Sequence, residues 1–219
     1  MMRQLSRWHV WIGWLVGVPL VLWTASGLFM TSWPIEQVRG EDLRAPPAQL
    51  AIAGLIMPHA PPLRALKLTL QTGRAVWIAE AADGRKARYD ARSGAALGRP
   101  GEAEARAIAG AARIKPPAIT AMTAFPASAP PLDLRTARPS WQARFADDVH
   151  VYVDGETGEV LALRTPLWRV FDFMWGLHIM DLQGRENTHH PLLIGSAALA
   201  LLTSLLGLVL LGRPRRKAR

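Results

Sequence analysis

Six histidines are the residues of this 219-residue chain best suited to chemistry, and four of them sit beside long apolar stretches. His9 opens the stretch Trp8–Ile35, His189 and His190 directly precede Pro191–Gly212, and His178 lies in an aromatic segment just upstream. Neutral imidazole is a common ligand of metals and of haem iron, so His9, His178, His189 and His190 are the candidate cofactor-binding residues. His59 and His150 are read as surface residues. The chain has no cysteine, which rules out disulfides, thiolate-held clusters, thiol catalysis and covalent haem attachment within it. Met174, Met180 and Glu186 near these histidines suit copper or zinc by ligand type, but their spacing is not diagnostic. The helical His-Glu pattern of zinc proteases, the glycine-flanked serine of hydrolases and glycine-rich phosphate loops are all missing, so no catalytic residue is assigned and an independent hydrolase is not expected.

The elements that must position these histidines are two membrane spans. A hydrocarbon core about 30 Å thick needs roughly 20 apolar residues in a helix, and residues 8–33 and 191–212 each meet that length. The first run is longer than a signal-peptide core and continues past the small residues Thr24-Ala25-Ser26, so it is read as an uncleaved anchor. The net charge of +9 supports the same reading. Arg3 and Arg7 precede the first span, and Arg213, Arg215, Arg216, Lys217 and Arg219 follow the second; without these seven, the 26 basic residues fall to 19 against 17 acidic. Positive residues flanking spans stay in the cytoplasm. The expected topology is a cytoplasmic start (1–7), a basic cytoplasmic tail (213–219) and a central domain outside, with the lipid bilayer rather than nucleic acid as partner. Trp8, Trp11 and Trp14 form one aromatic belt and Trp33 the other. Gly13 and Gly17 make a small-residue face suited to a homodimer, a membrane partner or the second span, and Pro19 predicts a kink.

The central region reads as a degenerate repeat, 41–98 and 99–163, each a helix plus a small antiparallel sheet. In the first, Ala48–His59 is a helix candidate, Leu63–Leu70 and Arg74–Glu80 are strands about a Gln71-Thr72-Gly73 turn, and Asp83-Gly84 leads to a return strand, Arg85–Asp90. In the second, Gly101–Ile114 is a helix, Pro116–Pro131 a proline-rich connection, and Trp141–Phe145 and His150–Asp154 are strands about an Asp147-Asp148 turn. Tyr89-Asp90 with Ser93-Gly94 is echoed by Tyr152-Val153-Asp154 with Thr157-Gly158. Residues 166–183 form an amphipathic segment with Leu167, Trp168, Phe171, Trp175, His178, Ile179 and Leu182 on one face and Arg169, Asp172 and Asp181 elsewhere. Such a helix is expected to lie in the membrane interface.

Four features resemble the PepSY-associated transmembrane family of bacteria: the opening Arg7-Trp8-His9 through Trp11-Ile12-Gly13 to Ser26-Gly27-Leu28; Tyr152-Val153-Asp154 with Thr157-Gly158-Glu159-Val160; Leu177-His178 after an aromatic helix; and Gly207-Leu208 before a basic tail. The resemblance implies an α+β fold, two transmembrane helices flanking a periplasmic PepSY-like domain in the bacterial inner membrane. It also implies a non-covalent haem b and an electron-transfer or reductase role linked to siderophore-bound iron. The chain departs from larger relatives in having two spans rather than about four. A span of this length separates its ends by about 40 Å, so His9 shares no haem with the outer histidines of the same copy. His178 with His189 or His190 makes an outer pair, and His9 needs a second copy or a partner. The rival expectation is a non-enzymatic anchor that binds or regulates a periplasmic protein or peptidase through an exposed sheet edge, with Tyr152–Val160 the candidate edge.

Overall fold

Met2–Thr31 forms one continuous helix, α1, with Pro19 inside it. Pro191–Leu211 forms another, here α5, with Pro191 in its first turn, where a missing N–H costs nothing. Past Arg7, α1 carries no charged side chain on any face, and α5 carries none at all, which argues for helices whose surroundings are themselves apolar. In their most apolar windows only 11% and 6% of residues are buried inside the protein, and Trp14 is 80% exposed. The two are therefore not core helices of a soluble domain; they are long and apolar enough to cross a membrane.

The computed structural model describes residues 2–59 and 62–212, so the basic tail 213–219 that contributes to the topology reading lies outside the described residues. The architecture is α+β and divides into two units, residues 1–34 with 170–219 and residues 35–169.

The second unit holds two four-stranded antiparallel meanders. The first sheet runs β1 (Leu63–Gln71), β2 (Arg74–Ala81), β3 (Lys86–Asp90), β4 (Ala96–Leu97); the second runs β5 (Ile119–Phe125), β6 (Ser140–Phe145), β7 (His150–Asp154), β8 (Val160–Arg164). Between the sheets in sequence lies α3, Glu102–Ala111, which buries Ala105, Ile108 and Ala109 against Ala143, Phe145, Val149, Val151, Val153 and Leu163. The same carboxylate-capped turn recurs in both sheets. Asp90 Oδ1 accepts from the N–H of Arg92 and Ser93, each at 2.9 Å, and Asp154 Oδ1 from those of Glu156 and Thr157, each at 2.8 Å. Both turns close on a glycine at positive φ, Gly94 and Gly158. A buried polar link joins the sheets: Gln71 Nε2 donates to Thr157 O at 2.7 Å, and Arg88 donates to Gln71 Oε1 at 2.8 Å and to Glu104.

Several expectations are corrected. Ala48–His59 contains no helix: Gly54 takes φ +73, and Ile56 instead donates to Ala91 O at 2.8 Å while accepting from Trp77 Nε1. Among the described residues of this unit only the short helix α2, Ile35–Arg39, and the 3-10 turn Glu41–Leu43 precede the first sheet, and the packed helix α3 accompanies the second. The proline-rich stretch 116–131 contains strand β5, because its prolines flank the run Ile119–Phe125 rather than interrupt it. The candidate edge Tyr152–Val160 begins in the interior strand β7, whose Val151, Tyr152 and Val153 are fully buried between β6 and β8. Nor is His150 a surface residue, its side chain being only 15% exposed.

Candidate functional site

The helix carrying His178, α4, spans Pro166–His178 and stops there rather than running on to Gln183. Met180 turns the chain at φ 57, and the Asp181 carboxylate then accepts from the N–H groups of Gly184, Glu186 and Asn187 at 3.0–3.2 Å. Those backbone donors hold Asp181 below the ordinary carboxylate range. Asp172, expected away from the buried face, is in fact buried and paired with Arg185 at 2.7 Å, and Trp175 Nε1 donates to Arg185 O at 3.1 Å. Gly176 makes this possible, since a Cβ there would meet Arg185 Cγ at 2.8 Å. The segment leading from His178 to His189 is thereby clamped onto α4.

His178 is the most completely built of the four candidates. Its carbonyl accepts from Trp23 Nε1 at 2.6 Å, and its ring lies against Trp175 with centroids 6.5 Å apart and planes 19° from parallel. Nδ1 is 3.0 Å from Ser26 Oγ, and Ser26, itself buried, donates its hydroxyl proton to Leu22 O at 2.6 Å. With that proton committed, the serine oxygen can only accept, so the neutral ring carries its proton on Nδ1 and keeps the Nε2 lone pair free. A hydrogen bond on one ring nitrogen that assigns the other to a ligand is the usual arrangement of a metal-binding histidine. The ring lies beside Gly27, where a Cβ would sit in ordinary van der Waals contact, 3.6 Å from His178 Cε1.

The other three differ. His190 caps α5: its Nδ1 accepts from Leu192 N–H at 3.3 Å, which places the neutral ring's proton on Nε2 and removes that nitrogen as a ligand. His189 is exposed, with its backbone N–H on Asn187 Oδ1 and Nδ1 3.4 Å from Thr188 Oγ1. Among the described residues no hydrogen bond or ring contact joins His178 to either. His9 faces α5 at the opposite end of α1, where a Cβ on Gly207 would meet its Cε1 at 3.1 Å. Its Nδ1 is buried without a partner. It opens a groove of about 380 Å³ whose walls include Gly13, Gly17, Thr203 and Gly207. A Cβ on Gly13 or Gly17 would meet nothing within 4 Å, so this small-residue face is not consumed by packing against α5. Seventeen residues of helix, about 26 Å at 1.5 Å per residue, separate His9 from Ser26.

In the other unit His150 belongs to a polar cluster. Its Nδ1 is 3.4 Å from Asp133 Oδ2, Tyr152 donates to the same oxygen at 3.3 Å, and Gln142 donates to the tyrosine at 2.5 Å. Burial pushes Asp133 up, but His150, Arg169 and the Tyr152 hydroxyl together outweigh it and leave the carboxyl below its ordinary value. The Tyr152 hydroxyl is pushed well up by burial and by Asp133. This cluster ties the loop at Asp133 to the sheet. Among the described residues no three His, Asp or Glu side chains gather as a metal site.

No family model, curated protein or solved structure matches this chain.

Proposed function

We propose that this chain is an inner-membrane electron-transfer component of the PepSY-associated transmembrane kind, binding haem b and delivering electrons to an outer acceptor such as siderophore-bound iron. Its termini are cytoplasmic and its β-rich unit periplasmic. The observation that carries the reading is the state of His178: Nδ1 engaged by a serine whose own proton is spent, Nε2 left with its lone pair, and an indole lying along the ring. Such second-sphere anchoring raises imidazole basicity and holds the ring for ligation. His189 is the second outer ligand in this reading, because His190 is committed to capping α5. His9 with its unpartnered Nδ1 is an inner ligand whose counterpart comes from a second copy or another protein. When bound, haem b would supply one-electron transfer. The residues' part is to ligate, orient and keep the edge of the group in an apolar setting that includes Phe171 and Trp175.

The test is a reduced-minus-oxidised spectrum of the protein purified in mild detergent after expression with added haem. A b-type band lost in His178→Ala and kept in His190→Ala supports the assignment. No band in the wild type overturns it, and leaves a membrane-anchored module that binds a periplasmic protein or peptidase.

A further inference from the structure

A sheet edge is a row of unpaired backbone donors and acceptors, and proteins normally blunt it with charge, brevity or cover. The second unit has four edges. β1 carries Arg64 and Lys67, β4 is two residues long, and β8 is five residues long and ends in Arg164. β5 is different: Ile119-Thr120-Ala121-Met122-Thr123-Ala124-Phe125 has no charge, and Thr120, Ala121, Thr123 and Ala124 are exposed. It pairs only with β6, and among the described residues no other backbone segment hydrogen-bonds to Ala121–Phe125. A register shift at Ile119/Ala121 leaves Ala121–Phe125 as the regular ladder, and Pro126 ends it.

We infer that β5 is a dimerisation edge, pairing antiparallel with β5 of a second copy about a two-fold axis at Thr123, so that the two four-stranded sheets join into one of eight strands. Self-pairing of an edge generates a closed two-fold assembly that uses both edges up. The residues fit that partner better than an arbitrary peptide. Centred on Thr123, each small side chain meets a large one, Ala121 opposite Phe125 and Ala124 opposite Met122, and Thr123 meets its own copy. Threonine pairs and aromatic contacts are favourable cross-strand neighbours, and no like charges oppose each other anywhere along the ladder. Two copies held in one membrane also meet at raised effective concentration. The inference does not depend on haem.

The absence of natural cysteines makes the test direct. Single-cysteine variants of the full chain, reconstituted in lipid nanodiscs large enough for two copies, are oxidised and run on a denaturing gel. Thr123→Cys sits on the axis and is expected to cross-link to a dimer. Ala121→Cys lies four residues off its symmetry mate, about 14 Å along the strand, beyond the roughly 7 Å a disulfide spans, and is expected to remain monomeric. In parallel, Thr123→Lys sets two ammonium groups opposite each other. It is expected to convert dimer to monomer in native mass spectrometry while leaving the circular-dichroism melt unchanged. Failure of Thr123→Cys to cross-link, equal cross-linking by Ala121→Cys, or a Thr123→Lys protein that stays dimeric overturns the proposal. The haem band recorded on the same samples bears only on the ligand reading, so the two can fail separately.

Discussion

The two units solve opposite problems with their polar side chains. In residues 35–169 charged groups are matched within the unit: Arg88, almost wholly buried, with Gln71 and Glu104; Arg113, equally buried, with Asp147 at 2.6 Å; Lys67 with Glu159 at 2.8 Å. Beneath them Phe145, Val151, Val153 and Leu163 form an ordinary close-packed core. In the helical unit the apolar side chains face outward, and two imidazoles keep a ring nitrogen with no hydrogen bond among the described residues, His178 at Nε2 and His9 at a buried Nδ1. One unit derives its stability from burial against itself, whereas the other leaves most of its apolar surface facing outward. Chemistry and folding stability should therefore be separable by mutation.

The strongest break in that comparison is the pair His178→Ala and Phe145→Ala. The histidine variant is expected to lose the haem band entirely while the melting of the β-rich unit is unchanged. Phe145→Ala should do the reverse, costing about 3–5 kcal/mol of unfolding free energy as a buried aromatic is removed and leaving the band in place under native conditions. Loss of the band in both variants would show that the units are coupled. A finer cut is Ser26→Ala, which keeps the proposed ligand His178 and removes the hydroxyl at its Nδ1. The expected result is a roughly 10–100-fold loss of haem affinity, read by titration with haemin, with the rest of α1 unaltered by circular dichroism. An unchanged affinity would mean that the Nδ1 hydrogen bond contributes packing and nothing to ligation.

How much of this was legible from residue order follows from the range of the interactions involved. Strands β2, β3, β6 and β7 announced themselves because alternation and the turns Asp83-Gly84 and Asp147-Asp148 are local signals. The echo of Asp90–Gly94 in Asp154–Gly158 was visible for the same reason: an Asx-type turn is specified within five residues. The β5 edge was hidden because proline density reads as loop unless one notices that the prolines stand outside the run. Ala48–His59 misled because alanine favours helix locally, whereas its backbone groups are claimed by Ala91 and Trp77, far away in sequence. At the candidate site the histidines could be picked out by type and position. The differences between them could not, since Ser26 and His178 are 152 residues apart and the capping role of His190 depends on where α5 starts. Asp172 looked solvent-facing because its partner, Arg185, lies beyond the end of the helix.

The smallest expected effect sharpens the comparison through pH. Asp147 is held below its ordinary value of 3.8, first by the Arg113 hydrogen bonds, with the Val149 N–H adding to it against a modest cost of burial. A carboxyl whose folded pKa is depressed stabilises the fold above its unfolded pKa and loses that contribution as pH falls through the folded one. The β-rich unit should therefore hold its full share of this stability at neutral pH and lose it progressively below about pH 4. Asp147→Asn should be less stable than the wild type at pH 7, by well under the cost of Phe145→Ala because the carboxylate is half exposed. The two proteins should then converge on acidification. Chemical denaturation at pH 7 and near pH 3 measures the convergence. A gap that stays constant across that range would assign the effect of Asp147 to the Val149 turn rather than to its charge.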